Sequence, residues 1–107
     1  MFIKQLSKYS YSFPNPRLAN DEGLLAYGGD LSIPRLLTAY RKGIFPWYNS
    51  DDPILWWSPN PRMVMFLDDF KVSKSLSKTI KKQIYEIKFD ADFKSVVKHC
   101  AKVKRNY

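Results

Sequence analysis

The sequence is poor in the residues that build metal centres and covalent catalytic sites. Its 107 residues include a single cysteine, Cys100, and a single histidine, His99. One cysteine cannot close an internal disulfide, and this pair cannot supply the four ligands of a structural zinc site. No Ser/His/Asp or Cys/His catalytic set is visible in the sequence either. We therefore expect no bound metal. The cysteine content fits a reducing compartment and predicts a cytoplasmic protein.

Long apolar runs and phosphate-binding loops are also missing. No apolar run approaches the roughly 18 residues that a membrane-spanning helix needs, so no membrane partner is expected. Four glycines are present, and two of them form the pair Gly28-Gly29. Neither the dinucleotide fingerprint nor the phosphate-loop lysine motif surrounds this pair. It predicts a tight turn before a helix.

Positive charge, by contrast, is abundant and unevenly distributed. The chain carries a net charge of +8. Residues 1–60 hold six Lys and Arg against five Asp and Glu, whereas residues 61–107 hold twelve against five. Such an excess in one half of a chain predicts a polyanionic partner for that half, with RNA or DNA the most common.

Aromatic side chains concentrate in residues 43–59, which we call the aromatic loop. It contains all three tryptophans, Trp47, Trp56 and Trp57, between prolines that fix the backbone. Rings on a stiff loop lose little entropy on binding and would form a stacking platform for bases. The same rings would equally fill a small core, because tryptophan dominates packing wherever it is buried. Both interpretations are open at this point.

Hydrophobic periodicity predicts an α+β protein. Ser32 and Gly43 are start and stop signals for a first helix, and Tyr40 in its last turn is expected to neighbour Trp47. The other predicted elements are an edge strand within residues 1–12, strands at 54–57, 62–67 and 84–90, a helix at 73–83 with Ser73 as its candidate cap, and a helix from Asp92 onward. The side of this last helix that is expected to point inward consists of Phe93, Val96, Val97 and Cys100 or Ala101.

Four lysines share one face of the predicted helix at residues 73–83, with no acidic residue between them to offset their repulsion. We call them the lysine ridge: Lys74, Lys78, Lys81 and Lys82. One interpretation is a phosphate-binding ridge, and the other is an ordinary solvated face.

Four sequence motifs follow one another with almost no slack: FPNP (13–16), GLLAYGGDLS (23–32), RLLTAYRKGIFPWY (35–48) and PILWWSPNPR (53–62). Together they resemble the bacterial leucyl/phenylalanyl-tRNA–protein transferases, and the similarity spans essentially the whole chain. The resemblance implies transfer of Leu, Phe or, less well, Met from aminoacyl-tRNA to the N-terminal Arg or Lys of a protein. That transfer marks the protein for degradation by the N-end rule pathway. No cofactor is implied, because the aminoacyl ester is already activated.

The resemblance also implies a domain division and a set of binding residues. Residues 1–61 would form a small N-terminal α/β domain, and residues 62–107 the first β-α-β-α part of an acetyltransferase-like (GNAT-like) domain. Tyr40 and Trp47 match the family's aromatic positions for the terminal adenosine and aminoacyl end. The lysine ridge matches its basic patch for the tRNA acceptor stem. Three further residues match motif positions without an assigned contact: Trp56, Trp57 and Arg62.

The family is expected to continue well beyond the stretch that matches Cys100–Tyr107. The resemblance therefore implies a chain truncated at its C-terminal side, lacking part of the active site, and it places no catalytic residue within the chain. Two alternatives stay open. One is a non-catalytic module that binds RNA ends, and the other is a structural fragment whose aromatic residues only pack and whose lysines only solubilise.

Overall fold

The computed structural model describes residues 2–105, which fall into two units, one ending at Val64 and the other beginning at Met65. The first unit contains a four-stranded sheet and one α-helix, and the second contains two α-helices. The predicted α+β class is confirmed. The predicted domain boundary between residues 61 and 62 stays a prediction.

The sheet of the first unit is mixed. Its strands are β1 (Lys4–Leu6), β2 (Leu24–Gly28), β3 (Phe45–Pro46) and β4 (Leu55–Trp57). Their order across the sheet is β1-β2-β4-β3, with β1 parallel to β2 and the other neighbours antiparallel. The edge strand predicted within residues 1–12 and the strand predicted at 54–57 are therefore present. Sequence reasoning missed β2, because a short apolar run has no period that separates a strand from a buried helical turn.

Helix α1 (Ile33–Arg41) follows the turn at Gly28-Gly29, where both glycines adopt positive φ. Gly43, with φ of +71°, turns the chain after the helix, as predicted. The capping prediction for Ser32 needs a correction. Ser32 occupies the N-cap position, but its hydroxyl makes no capping bond and donates to the Asp30 carboxylate instead.

The hydrophobic core lies in the first unit, where residues from the sheet, α1 and the segment before β2 meet around Trp56. The Trp56 side chain is fully buried, its ring lies edge-on to Phe13 with 4.9 Å between centroids, and its Nε1 donates to the Gly28 carbonyl at 2.9 Å. For Trp56, packing is therefore the correct interpretation. The core members are Leu6, Phe13, Leu25, Ala26, Ala39, Ile44 and Trp56.

The second unit contains α2 (Lys74–Lys81) and α3 (Phe93–Lys102). Ser73 caps α2 as predicted, because its Oγ accepts a hydrogen bond from the Leu76 amide at 3.2 Å. Asp92 occupies the N-cap position of α3 but makes no side-chain capping bond. None of the helices among residues 2–105 is long and apolar enough to cross a membrane.

Two strand predictions in this part of the chain are wrong. Residues 62–67 and 84–90 form no strand, and no residue between 65 and 105 is buried. A strand needs a partner for its backbone N–H and C=O groups, and neither segment pairs with one among the described residues. For the same reason, the apolar side of α3 that was expected to point inward is exposed: Phe93, Val96, Val97, Cys100 and Ala101.

Candidate nucleic-acid interface

The aromatic loop divides into a buried part and an exposed part. Trp56 is sealed in the core, whereas Trp47 keeps 73% of its surface exposed. The exposed part forms an apolar groove of about 380 Å³, lined by Phe45, Trp47, Trp57 and Pro59. Because alternate residues of a strand point to opposite faces of its sheet, Trp56 and Trp57 take different roles on β4. That alternation was the sequence signal that Trp56 and Trp57 face opposite sides of the sheet, and the pairing of β4 decides which of them faces the groove.

The backbone at Trp47 is fixed on both sides while its indole stays free. The Trp47 amide donates to the Leu55 carbonyl at 3.0 Å, and the Trp57 Nε1 donates to the Trp47 carbonyl at 2.6 Å. Pro46, which directly precedes Trp47, has its own φ angle fixed by the proline ring. A ring on a backbone held in this way loses little conformational entropy when a planar ligand binds to it.

Tyr40 is also exposed, with 58% of its surface accessible, in the last turn of α1. Its carbonyl accepts a hydrogen bond from the Gly43 amide at 3.1 Å, which closes the helix end. Tyr40 is not among the residues that line the groove at Trp47. The structure therefore leaves both predicted adenosine-binding rings accessible, on either side of the short link between α1 and β3, but it places only Trp47 in the groove.

Arg62 lies against that link. Its Nη1 donates to the Gly43 carbonyl at 2.6 Å, and its guanidinium carbon lies 4.9 Å from the centroid of the Phe45 ring. Sequence reasoning left Arg62 without a contact. An arginine a few residues beyond a cluster of aromatic rings was the available signal, because guanidinium groups stack on aromatic faces.

The lysine ridge is fully on the surface of α2 and at its C-terminal cap. All four side chains are exposed, and within residues 2–105 none of them takes part in an ion pair. Lys78, Lys81 and Lys82 lie in the last turn and at the cap, where positive charge complements the helix dipole. The ridge therefore presents four ammonium groups at the surface that no carboxylate among the described residues engages.

A polar network fixes the start of α1. Arg35 is completely buried, and its Nε donates to the Asp30 carboxylate at 3.2 Å while its Nη2 donates to the Ser7 carbonyl at 2.9 Å. Hydrogen bonds from the Ser32 hydroxyl and amide, followed by the interactions with Arg35, hold the pKa of Asp30 below its usual range. The network ties the chain after β1 to the helix that carries Tyr40.

The fold and these surfaces together define an α+β protein with an accessible aromatic platform and a separate basic helical unit. The model of the leucyl/phenylalanyl-tRNA protein transferase N-terminal domain matches residues 29–60, and the model named leucyl/phenylalanyl-tRNA protein transferase matches residues 64–107. The chain belongs to the leucyl/phenylalanyl-tRNA–protein transferase family, and the resemblance drawn from its motifs is confirmed.

Curated relatives named leucyl/phenylalanyl-tRNA–protein transferase are similar along nearly all of this chain. The protein of Sulfurimonas denitrificans is 52% identical over 96% of the chain, which corresponds to 44% of that relative. The protein of Cellvibrio japonicus is 57% identical over 92% of the chain and 43% of the relative. That of Thermodesulfovibrio yellowstonii is 56% identical over 87% of the chain and 38% of the relative. The chain thus spans less than half the length of these relatives.

Proposed function

We propose that this chain is the tRNA-end-binding part of an aminoacyltransferase that moves Leu, Phe or, less well, Met from aminoacyl-tRNA to an N-terminal Arg or Lys of a protein. Family membership supports the reaction class. On this proposal residues 1–61 form the N-terminal domain, and residues 62–107 form the first part of an acetyltransferase-like domain. The protein so modified would be directed to degradation by the N-end rule pathway.

The observation that carries the proposal is the exposed Trp47 ring on an immobilised backbone. The flat terminal adenine of a tRNA would stack on this ring, with Phe45, Trp57 and Pro59 forming the walls of the groove. Stacking on an aromatic side chain contributes roughly 1–3 kcal/mol per base. Tyr40 is proposed to contact the same adenosine or the aminoacyl group from the end of α1.

The lysine ridge would hold the phosphates of the acceptor stem. Contacts of this kind neutralise charge and release counterions, so they supply affinity that is independent of sequence and falls steeply with salt. The four ammonium groups suit this role because none of them is engaged by a carboxylate within the described residues.

The proposed chemistry is attack by the α-amine of the acceptor protein on the ester carbonyl at the tRNA 3′ end. A C–N bond forms, the C–O bond to the ribose breaks, and the ribose oxygen leaves with a proton. The ester needs no further activation, so most of the rate enhancement comes from holding the two substrates in line and stabilising the oxyanion. The residues proposed here bind and orient the ester, and none of them is assigned a proton-transfer role.

A second candidate function is a module that binds RNA ends without catalysing transfer. One observation favours it: the groove at Trp47 is lined by apolar side chains only, so no general base faces the ring within that groove. Both candidates predict tRNA-end binding. Transfer by this chain would select the first, whereas binding without transfer fits both, because the first candidate places no catalytic residue in this chain.

Titration of the 107-residue chain with an aminoacylated acceptor-stem minihelix tests the shared part of both candidates. If four phosphates are neutralised, the affinity should fall at least about 100-fold between about 50 and 200 mM salt. Trp47→Ala should weaken binding roughly 5- to 150-fold. The matched control is Tyr9→Ala, which removes an exposed ring outside the aromatic loop and should leave binding unchanged.

The lysine ridge is tested with a quadruple alanine variant, which should reduce the slope of log affinity against log salt by about one for each lost contact. The matched control removes four lysines elsewhere in the same unit: Lys94, Lys98, Lys102 and Lys104. Equal losses of affinity in both variants would show that the lysine ridge contributes only through the overall positive charge of the chain. Absence of salt-dependent binding in the parent would exclude both candidate functions. Transfer of Phe from the minihelix to an Arg-starting peptide would select the transferase.

A further inference from the structure

The link between α1 and β3 controls where the two proposed adenosine-binding rings lie relative to each other. Tyr40 precedes Gly43 by three residues, and Trp47 follows Phe45 by two. The inner side of the link is anchored, because Ile44 is fully buried and its amide donates to the Ala39 carbonyl at 2.9 Å. The outer side, at Gly43, is exposed and has no core residue to hold it.

Arg62 occupies that outer side and contacts both ends of the link. At one end, its Nη1 donates to the Gly43 carbonyl, which also accepts a longer bond of 3.4 Å from the Ser58 hydroxyl. At the other end, its guanidinium carbon lies over the Phe45 ring, 4.9 Å from the ring centroid. Because the guanidinium is planar and rigid, one group fixes a backbone carbonyl and a ring face at once.

Gly43 suits this turn because of its backbone angle. Its φ of +71° is one that residues with a Cβ rarely adopt. A Cβ at this position would meet the Arg62 Nη1 at 3.6 Å, which is ordinary van der Waals distance. The preference for glycine therefore comes from the backbone angle of the turn and not from the space that Arg62 occupies.

We propose that Arg62 is a positioning residue that sets the orientation of Trp47 relative to Tyr40. This inference rests on the proposed function, in which these two rings hold the terminal adenosine and aminoacyl group. Arg62 is exposed and lies outside the core, so its contribution falls on the geometry of the link and not on the existence of the fold. It acts through Gly43 and Phe45 and does not itself contact the tRNA.

Two variants and the salt dependence test the proposal with the same minihelix. Arg62→Met keeps an unbranched apolar stem but removes the guanidinium with its charge and donors, and it should weaken binding by about tenfold, equivalent to about 1.4 kcal/mol. Arg62→Lys keeps a donor for Gly43 but loses the planar group over Phe45, and it should show a smaller loss. In both variants the slope of log affinity against log salt should match that of the parent, because no phosphate contact has been removed.

Several results would overturn the inference and leave the proposed function intact. A slope reduced by about one in Arg62→Met would identify Arg62 as a phosphate contact. An affinity loss that follows a loss of folded protein in thermal unfolding would assign it a stability role only. Unchanged affinity in Arg62→Met, with a clear loss in Trp47→Ala, would remove Arg62 from the site. Unchanged affinity in Trp47→Ala would instead contradict the proposed function itself.

Discussion

The unit that ends at Val64 and the unit that begins at Met65 both carry large apolar side chains, but they bury them very differently. The first unit buries seven apolar residues, with Trp56 among them. In the second unit no described residue is buried, and even Phe89 keeps 90% of its surface exposed. This difference in burial shows which kinds of secondary structure a short segment can form without partners from elsewhere in the chain. Helices satisfy their backbone groups locally and are present in both units, whereas strands among residues 2–105 occur only in the first.

The largest expected effect comes from removing the centre of the first core. Trp56→Ala deletes a fully buried ring and its hydrogen bond to Gly28, so it should lower the free energy of unfolding by about 3–5 kcal/mol. Phe89→Ala, the counterpart in the second unit, should change it by no more than about 0.5 kcal/mol. Urea unfolding followed by far-ultraviolet circular dichroism measures both, because helices are present in both units.

Trp47→Ala serves as the control for residue type, since it removes an exposed tryptophan from the same loop. It should cost far less stability than Trp56→Ala. Similar costs for the two tryptophan variants would contradict the division of the aromatic loop into a core part and a platform. A large cost for Phe89→Ala would show that the second unit has a core of its own.

The contrast between the two units also explains how much of this molecule could be predicted from sequence. Helices α1, α2 and α3 were predictable because the signals at Ser32, Gly43 and Ser73 and the helical period lie within each segment. The platform was half predictable: proline and aromatic content identified the loop, but only the pairing of β4 decided that Trp56 points into the core and Trp57 into the groove. The partners of Arg62 and Arg35 depend on contacts between distant segments, which no local pattern encodes.

A smaller effect on stability is expected from the residues that precede helices α1 and α2. Ser73 caps α2 through its hydroxyl, whereas Ser32 at the start of α1 bonds to Asp30 instead. Ser73→Ala should therefore cost about 1 kcal/mol of local helix stability. Hydrogen exchange of the α2 amides should report it as faster exchange in that helix. Because an isolated helix of 8 residues is only marginally stable, the loss of its cap should have a visible effect on exchange.

Ser32→Ala is the matched control, and the exchange of the α1 amides reports on it. Any loss there should follow from a weaker Asp30 network and not from an unsatisfied helix amide, because the Ser32 hydroxyl accepts no capping bond. Unchanged exchange in α2 of Ser73→Ala would contradict a stabilising role for the cap.

The smallest expected effect is a pH dependence confined to the first unit. Hydrogen bonds from Ser32, reinforced by Arg35, lower the pKa of Asp30 in the folded protein. The carboxylate therefore adds stability above the usual pKa range of aspartate, and that stability is lost as the pH falls through the lowered value. Asp30→Asn lacks this contribution, so its urea midpoint should lie below that of the parent at neutral pH and approach it in acid.

Measuring both proteins by urea unfolding from about pH 7 down to about pH 2 covers the range in which an aspartate with a lowered pKa titrates. When Ser32→Ala is added to both proteins, the gap in urea midpoint caused by Asp30→Asn should shrink at neutral pH, because the largest cause of the lowered pKa has been removed. Parallel curves for parent and Asp30→Asn across the whole range would show that the network at α1 does not couple protonation to folding. The acid sensitivity would then have to come from residues other than Asp30.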